Sequence, residues 1–161
     1  MGIVAVKASR GISLIDQSYQ AVPRTCDGAT DTTAVVLASI VVPGGAMGKN
    51  GRVEVIMEWT WTGTAQKFLK LDWGGSNMFG PSYTTANSIS HRVAIFNTNS
   101  LAAQKVQNSS SFNTNGAYNT ATKDTSGNVT IDIKVNWQAN TSAGTEVITL
   151  NGYSAWVYPA P

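Results

Sequence analysis

Cysteine and histidine are nearly absent from this chain: Cys26 and His91 stand alone among 161 residues. A lone cysteine excludes an intrachain disulfide and any multi-cysteine metal site. A lone histidine excludes a two-histidine metal centre, and a triad of two histidines and a carboxylate, within one chain. Charge is scarce as well. Asp, Glu, Lys and Arg make up 12% of the residues, about half the usual share, so the polar surface must come from Ser, Thr, Asn, Gln and backbone. That suits strands and turns better than helices. The formal charge of +2 arises from eleven scattered Lys and Arg against nine acids. No run or stripe of them could follow a phosphate backbone, and nucleic acid is not an expected partner. No apolar run approaches the ~20 residues that span a bilayer. The first residues, MGIVAVKASRGISLID, lack the charged region and apolar stretch of a signal peptide. Membrane insertion is not expected.

What the chain does have is a two-residue period. Asn50–Gly75 reads as two strands joined by a Gly/Thr turn; in the first, Val53, Val55, Met57, Trp59 and Trp61 fall on one face, while Arg52, Glu54, Glu58 and Thr60 fall on the other, with Ile56 the only apolar exception. Successive strand side chains point to opposite faces, so one side is packed and the other wetter. Ser88–Asn97 repeats the pattern with Ile89, His91, Val93 and Ile95. Asn128–Trp137 is the cleanest case, with Val129, Ile131, Ile133, Val135 and Trp137 alternating with Thr130, Asp132, Lys134 and Asn136. Ala34–Val42 is a nearly unbroken apolar strand halted by Pro43-Gly44-Gly45, a weaker strand runs from Ala102 to Asn108, and Glu146–Leu150 and Tyr153–Tyr158 close the chain. About eight strands with irregular loops and no repeat argue for an all-β, antiparallel jelly-roll sandwich over residues 34–161. Residues 1–33 hold short apolar clusters, Ile3, Val4, Val6 and then Ile12, Leu14, Ile15. They are too sparse for a core of their own. They are expected to be either a first strand or cover, or an extended N-terminal arm that orders on a partner. The stretches 76–87 and 108–127 are expected as polar loops.

Signatures of chemistry are thin. His91 lies in register with apolar neighbours and reads as structural. No GxSxG elbow accompanies it, and Cys26 has no activating neighbour in sequence. Glu54, Glu58, Asp72 and Asp132 sit on strands, where two carboxyls across a sheet would suit glycoside hydrolysis. Pairing with Lys67, Lys70 or Lys134 on a wet face is the cheaper account. Gly44–Gly51 lacks the GK[ST] ending of a phosphate loop and precedes a strand, so it is a turn. No catalytic residue, metal or cofactor is expected. Trp156 and Tyr158 share one face of the last strand, opposite Tyr153, Ala155 and Val157. They suit either a subunit interface or a platform for glycan stacking.

Taken in order, an apolar strand ending in Pro-Gly, a turn ending NGR, an aromatic-rich strand, a Lys-rich strand closing on Gly-Gly, a strand with Arg92 and Phe96-Asn97, and the terminal ITLNGYSAWVY resemble small jelly-roll domains of tailed-bacteriophage virions. Such domains occur as fibre knobs, receptor-binding tips and head decoration proteins. The resemblance covers residues 34–158. It implies a non-enzymatic virion protein made in the bacterial host cytoplasm, commonly a homotrimer, with the major capsid or tail protein as partner and host-surface glycan as a further one. No apolar heptads of a shaft precede Ala34. The expectation is therefore a capsid decoration or short head-fibre protein attached through Ile3, Val4, Val6, Ile12, Leu14 and Ile15, with loops 76–87 and 108–127 presented outward. A tail-fibre receptor-binding knob and a lectin-like carbohydrate-binding module are the alternatives.

Overall fold

A computed structural model describes residues 11–25, 32–85, 87–108, 119–138 and 146–161. Among them there is no helix. Twelve strand segments occur in chain order: β1 (Ser13–Ser18), β2 (Val22–Thr25), β3 (Val35–Val42), β4 (Arg52–Trp61), β5 (Lys67–Trp73), β6 (Ser76–Phe79), β7 (Ser82–Tyr83), β8 (Asn87–Asn97), β9 (Gln104–Asn108), β10 (Thr120–Ala121), β11 (Val129–Trp137) and β12 (Val147–Tyr158).

The strands form two antiparallel sheets. One runs β1-β12-β4-β8-β9-β10, with β2 also on β12; the other runs β3-β11-β5-β6, with β7 also on β5. The pairings are nested. β1 and β2 pair with β12, β3 with β11, β4 with β8, and β5 with β6 and β7. Successive nested pairs alternate between the sheets, as when one long hairpin is rolled into a sandwich. That is the jelly roll. Segments β1–β2 and β6–β7 each fill one of its eight places, and β9 and β10 extend the first sheet beyond them.

Alternation built this arrangement. Val53, Val55, Met57, Trp59 and Trp61 of β4, Val93 and Ile95 of β8, and Val129, Ile131, Ile133, Val135 and Trp137 of β11 are all buried in one continuous core. Each large side chain removed from water there contributes roughly 1.5–3 kcal/mol.

Two expectations change. The terminal strand is one strand instead of two: its register on β4 shifts between Leu150 and Gly152, leaving Asn151 as an extra residue. Gly152 reads as a turn in the sequence but is needed for contact, because a Cβ there would lie 2.9 Å from the Ser18 carbonyl oxygen. The stretch 76–87 is not a free loop, since Met78 and Phe79 are buried and β6 and β7 pair with β5. Of the two readings of residues 1–33, the described part, residues 11–25, fits a first strand or cover. Ser13–Thr25 runs along β12 as sheet edge, with Ile15 packed on the core. Ile3, Val4, Val6, Cys26 and residues 109–118 of the stretch 108–127 lie outside the described residues.

Candidate functional site

Two outer surfaces are left once the core is filled, and a side edge joins them. On the first sheet, β8, β4 and β12 lie side by side, so that Phe96, Arg52 and Tyr158 form one cross-strand row and Ala94, Glu54 and Trp156 the next. The second row continues to Leu14 of β1, the first to Lys105 of β9. Arg52 lies between two rings, with its guanidinium carbon 3.9 Å from the Tyr158 ring centre and 6.0 Å from that of Phe96. Such stacking restrains the cation while leaving its edge to water.

Glu54 is buried beneath these side chains. Arg92 donates to its Oε2 at 2.5 Å, Arg52 Nε stands 3.9 Å from the same oxygen, and the Tyr158 hydroxyl approaches Oε1 at 3.5 Å. The hydrogen bond to Glu54, then its charge, raises the Arg92 pKa. Trp156 is half-buried, its indole N–H donating to Ser154 Oγ at 3.2 Å. Trp156 and Tyr158 thus lie on the outer face of the first sheet, each half-buried.

The outer face of the second sheet carries a balanced charge lattice. Lys134 donates to Asp72 at 2.6 Å and stands 3.7 Å from Asp132, which accepts from Ser39 Oγ at 2.7 Å. The bond to Asp72 is the main reason the Lys134 pKa is raised. Two of the four carboxylates on strands are therefore held by the lysine expected. Glu58 instead accepts from Ser90.

Lys67 departs from expectation. It is fully buried, not a solvated partner on the wet face. Its ammonium donates to the carbonyls of Thr62 and Gly63 at 2.9 and 3.2 Å, and lies 3.3 Å from Glu146 Oε2 in an ion-pair contact. Burial alone would raise the Glu146 carboxyl. The N–H groups of Ala65 and Thr64 (2.8 and 2.7 Å), with Lys67, outweigh that and hold it below its usual range. Gly63 sits at φ +75°, and a Cβ there would fall 2.1 Å from the Glu146 side chain. The cluster pins the β4–β5 turn to the start of β12. A signal existed: Lys67 has the parity of buried Leu69, Leu71 and Trp73.

His91 is equally committed. It is 1% exposed, its Nε2 lies 2.7 Å from the Tyr83 hydroxyl, and Phe79 meets it edge-on at 4.7 Å between ring centres. Burial lowers its pKa to about 4, so it is neutral over the ordinary pH range. No group of three or more His, Cys, Asp or Glu is arranged to hold a metal among the described residues.

The side edge is different in kind. Exposed large apolar side chains among the described residues are Ile12 (62%), Leu14 (40%), Tyr19 (72%), Val36 (45%) and Val41 (53%). All belong to β1, its flanks or β3, and β1 and β3 touch each other along one side of the sandwich. β3, VVLASIVV, has no charged residue over eight positions, and no described strand pairs with its outer edge. Natural edge strands are usually blunted with charge, proline or cover.

No protein-family profile and no curated protein sequence matches the chain. Solved structures with a related β layout include dimeric latent PorU from Porphyromonas gingivalis, at 11% identity and TM-score 0.38 over 90% of this chain. This chain spans only 13% of that protein's length. A polysaccharide lyase family 18 structure, aly-SJ02 r-CATD, gives 8% identity and TM-score 0.37 over 89% of this chain and 94% of the other. The Israel acute paralysis virus structure gives 10% identity and TM-score 0.29 over 99% and 78%. These likenesses are weak, and no fold, substrate or partner passes from them to this chain.

Proposed function

We propose that this chain is a non-enzymatic structural protein of a tailed-phage virion. In this reading it is a homotrimeric capsid decoration or short head-fibre protein, attached to the particle through its N-terminal residues and synthesised in the bacterial host cytoplasm. The observation that supports an assembly role is the β1–β3 side: β3 is an edge strand with no charged residue, its Val36 and Val41 are exposed on the outer face of the second sheet, and Leu14 is exposed on that of the first. An uncharged edge flanked by exposed apolar side chains suits adhesion between protein subunits. The described ionisable groups weigh the same way, since Glu54, Asp72, Asp132, Glu146 and His91 are each engaged in a pairing that stabilises the sandwich. The placement on a phage particle rests on the sequence resemblance described above.

Light scattering on the purified chain tests the reading. About three times 17.0 kDa is expected, and a monomer at every concentration would remove it. A tail-fibre knob or lectin-like module is the second reading, favoured by the aromatic–arginine face around Trp156.

A further inference from the structure

We infer that the outer face of the first sheet, around Trp156, Arg52 and Arg92, binds carboxylate-bearing saccharides of the uronate type. This deepens the adhesive side of the proposed function and rests on its non-catalytic premise.

Charge gives the first reason. On this face Arg52, Arg92 and Lys105 stand against two carboxylates, Glu54 and, in the row of Ser90, Glu58, a surplus of one cation. The other outer face sets Lys70 and Lys134 against Asp72 and Asp132. An anion is therefore drawn to one face of the sandwich and not the other. The cations are also held in place. Arg52 is stacked on Tyr158 and Arg92 is anchored by Glu54, so little side-chain freedom remains to be lost on binding.

The aromatic component gives the second. Trp59, Trp61, Trp73 and Trp137 are buried in the core, whereas Trp156 is partly open on this face. Its neighbour across the sheet is Glu54, and Arg52 is two residues further along β4. Adjacent strands lie ~4.8 Å apart and same-face residues of a strand ~6.7 Å apart. That offset suits a pyranose stacked on the indole with its exocyclic carboxylate directed at the guanidinium.

Backbone pairing gives the third. β4, β8 and β12 are interior strands with neighbours on both sides, so an extended peptide finds no ladder to join here. Recognition must come from ring faces, ion pairs and the surrounding hydroxyl and amide groups such as Ser90 and Gln107. Three cations are also too few to follow a nucleic-acid backbone.

The experiment is titration of the full chain with a mannuronate tetrasaccharide, a neutral mannose tetrasaccharide and a heparin fragment, followed by tryptophan fluorescence and calorimetry. The mannuronate should bind at least tenfold more tightly than the neutral sugar and perturb the emission. Trp156→Ala should abolish the fluorescence response. Lys105→Glu, at an exposed position whose change leaves the core intact, should weaken binding several-fold. Absence of binding, equal affinity for the neutral sugar, or heparin binding that survives Trp156→Ala would each overturn the inference. None of these outcomes alters the solution mass, so failure here is separable from failure of the proposed assembly.

Discussion

The two sides of the sandwich are built differently. On the β6–β9 side, the ends of the sheets are tied together: Asn119 donates through its side chain to the Met78 carbonyl at 2.7 Å, and its own carbonyl accepts from Val106 N–H. Met78 and Phe79 are buried there, and Tyr83 and His91 meet behind them. On the β1–β3 side, apolar side chains stand in water and an uncharged strand ends the sheet. One side is closed by the chain itself. Among the described residues nothing covers the other, and the proposed assembly role is placed there.

The contrast can be broken from several directions. The largest effect on stability belongs to neither side. Glu146→Gln should leave the Lys67 ammonium buried without its counter-charge, lowering unfolding free energy by about 3–5 kcal/mol. Urea denaturation would register this, and a loss below about 1 kcal/mol would mean that the pair contributes little.

Acid should act on the closed side. The folded His91 has a pKa of about 4 against an ordinary 6.5, so the unfolded chain binds more protons between those values. Its contribution is complete above pH 6.5 and is lost as pH falls towards 4. The loss should be on the order of 3 kcal/mol across that window, since the buried ring must be protonated away from water. His91→Gln should flatten that part of the stability–pH curve, and an unchanged slope would mean that other groups set it. Asn119→Ala, which removes the tie between the sheets, should have the smallest effect. About 1 kcal/mol of thermal stability should go, with no change in solution mass.

Much of the fold was legible because β11 alternates strictly over nine residues, and β4 and β8 alternate over ten and eleven with Ile56, Ala94 and Phe96 as the apolar exceptions. Shorter pieces were not. Met78 and Phe79 are adjacent and both buried, which defeats a two-residue period, and Gly80-Pro81 hid β6 and β7 inside what reads as a loop. Asn151-Gly152 carries the chemistry of a turn, yet a bulge uses the same residues inside a continuous strand. The aromatic face was half visible. Trp156 and Tyr158 share a parity in one strand, but Arg52, Glu54 and Arg92 reach them only through cross-strand register, which no local pattern reveals. The Lys67–Glu146 contact joins residues 79 positions apart (67 to 146), and only the parity of Lys67 hinted at its burial.

The most direct test of the account places charge on the open side. Val36→Lys with Val41→Lys alters two exposed side chains, where substitutions ordinarily change stability by no more than about 0.5 kcal/mol. Asn77→Lys with Ser76→Lys on β6 supplies the same two charges on the closed side. Light scattering should show wild type and the β6 variant near three times 17.0 kDa, and the chain with both β3 substitutions as a folded monomer. An assembly that survives both lysines on β3, or a wild-type protein that never exceeds one chain, would contradict it.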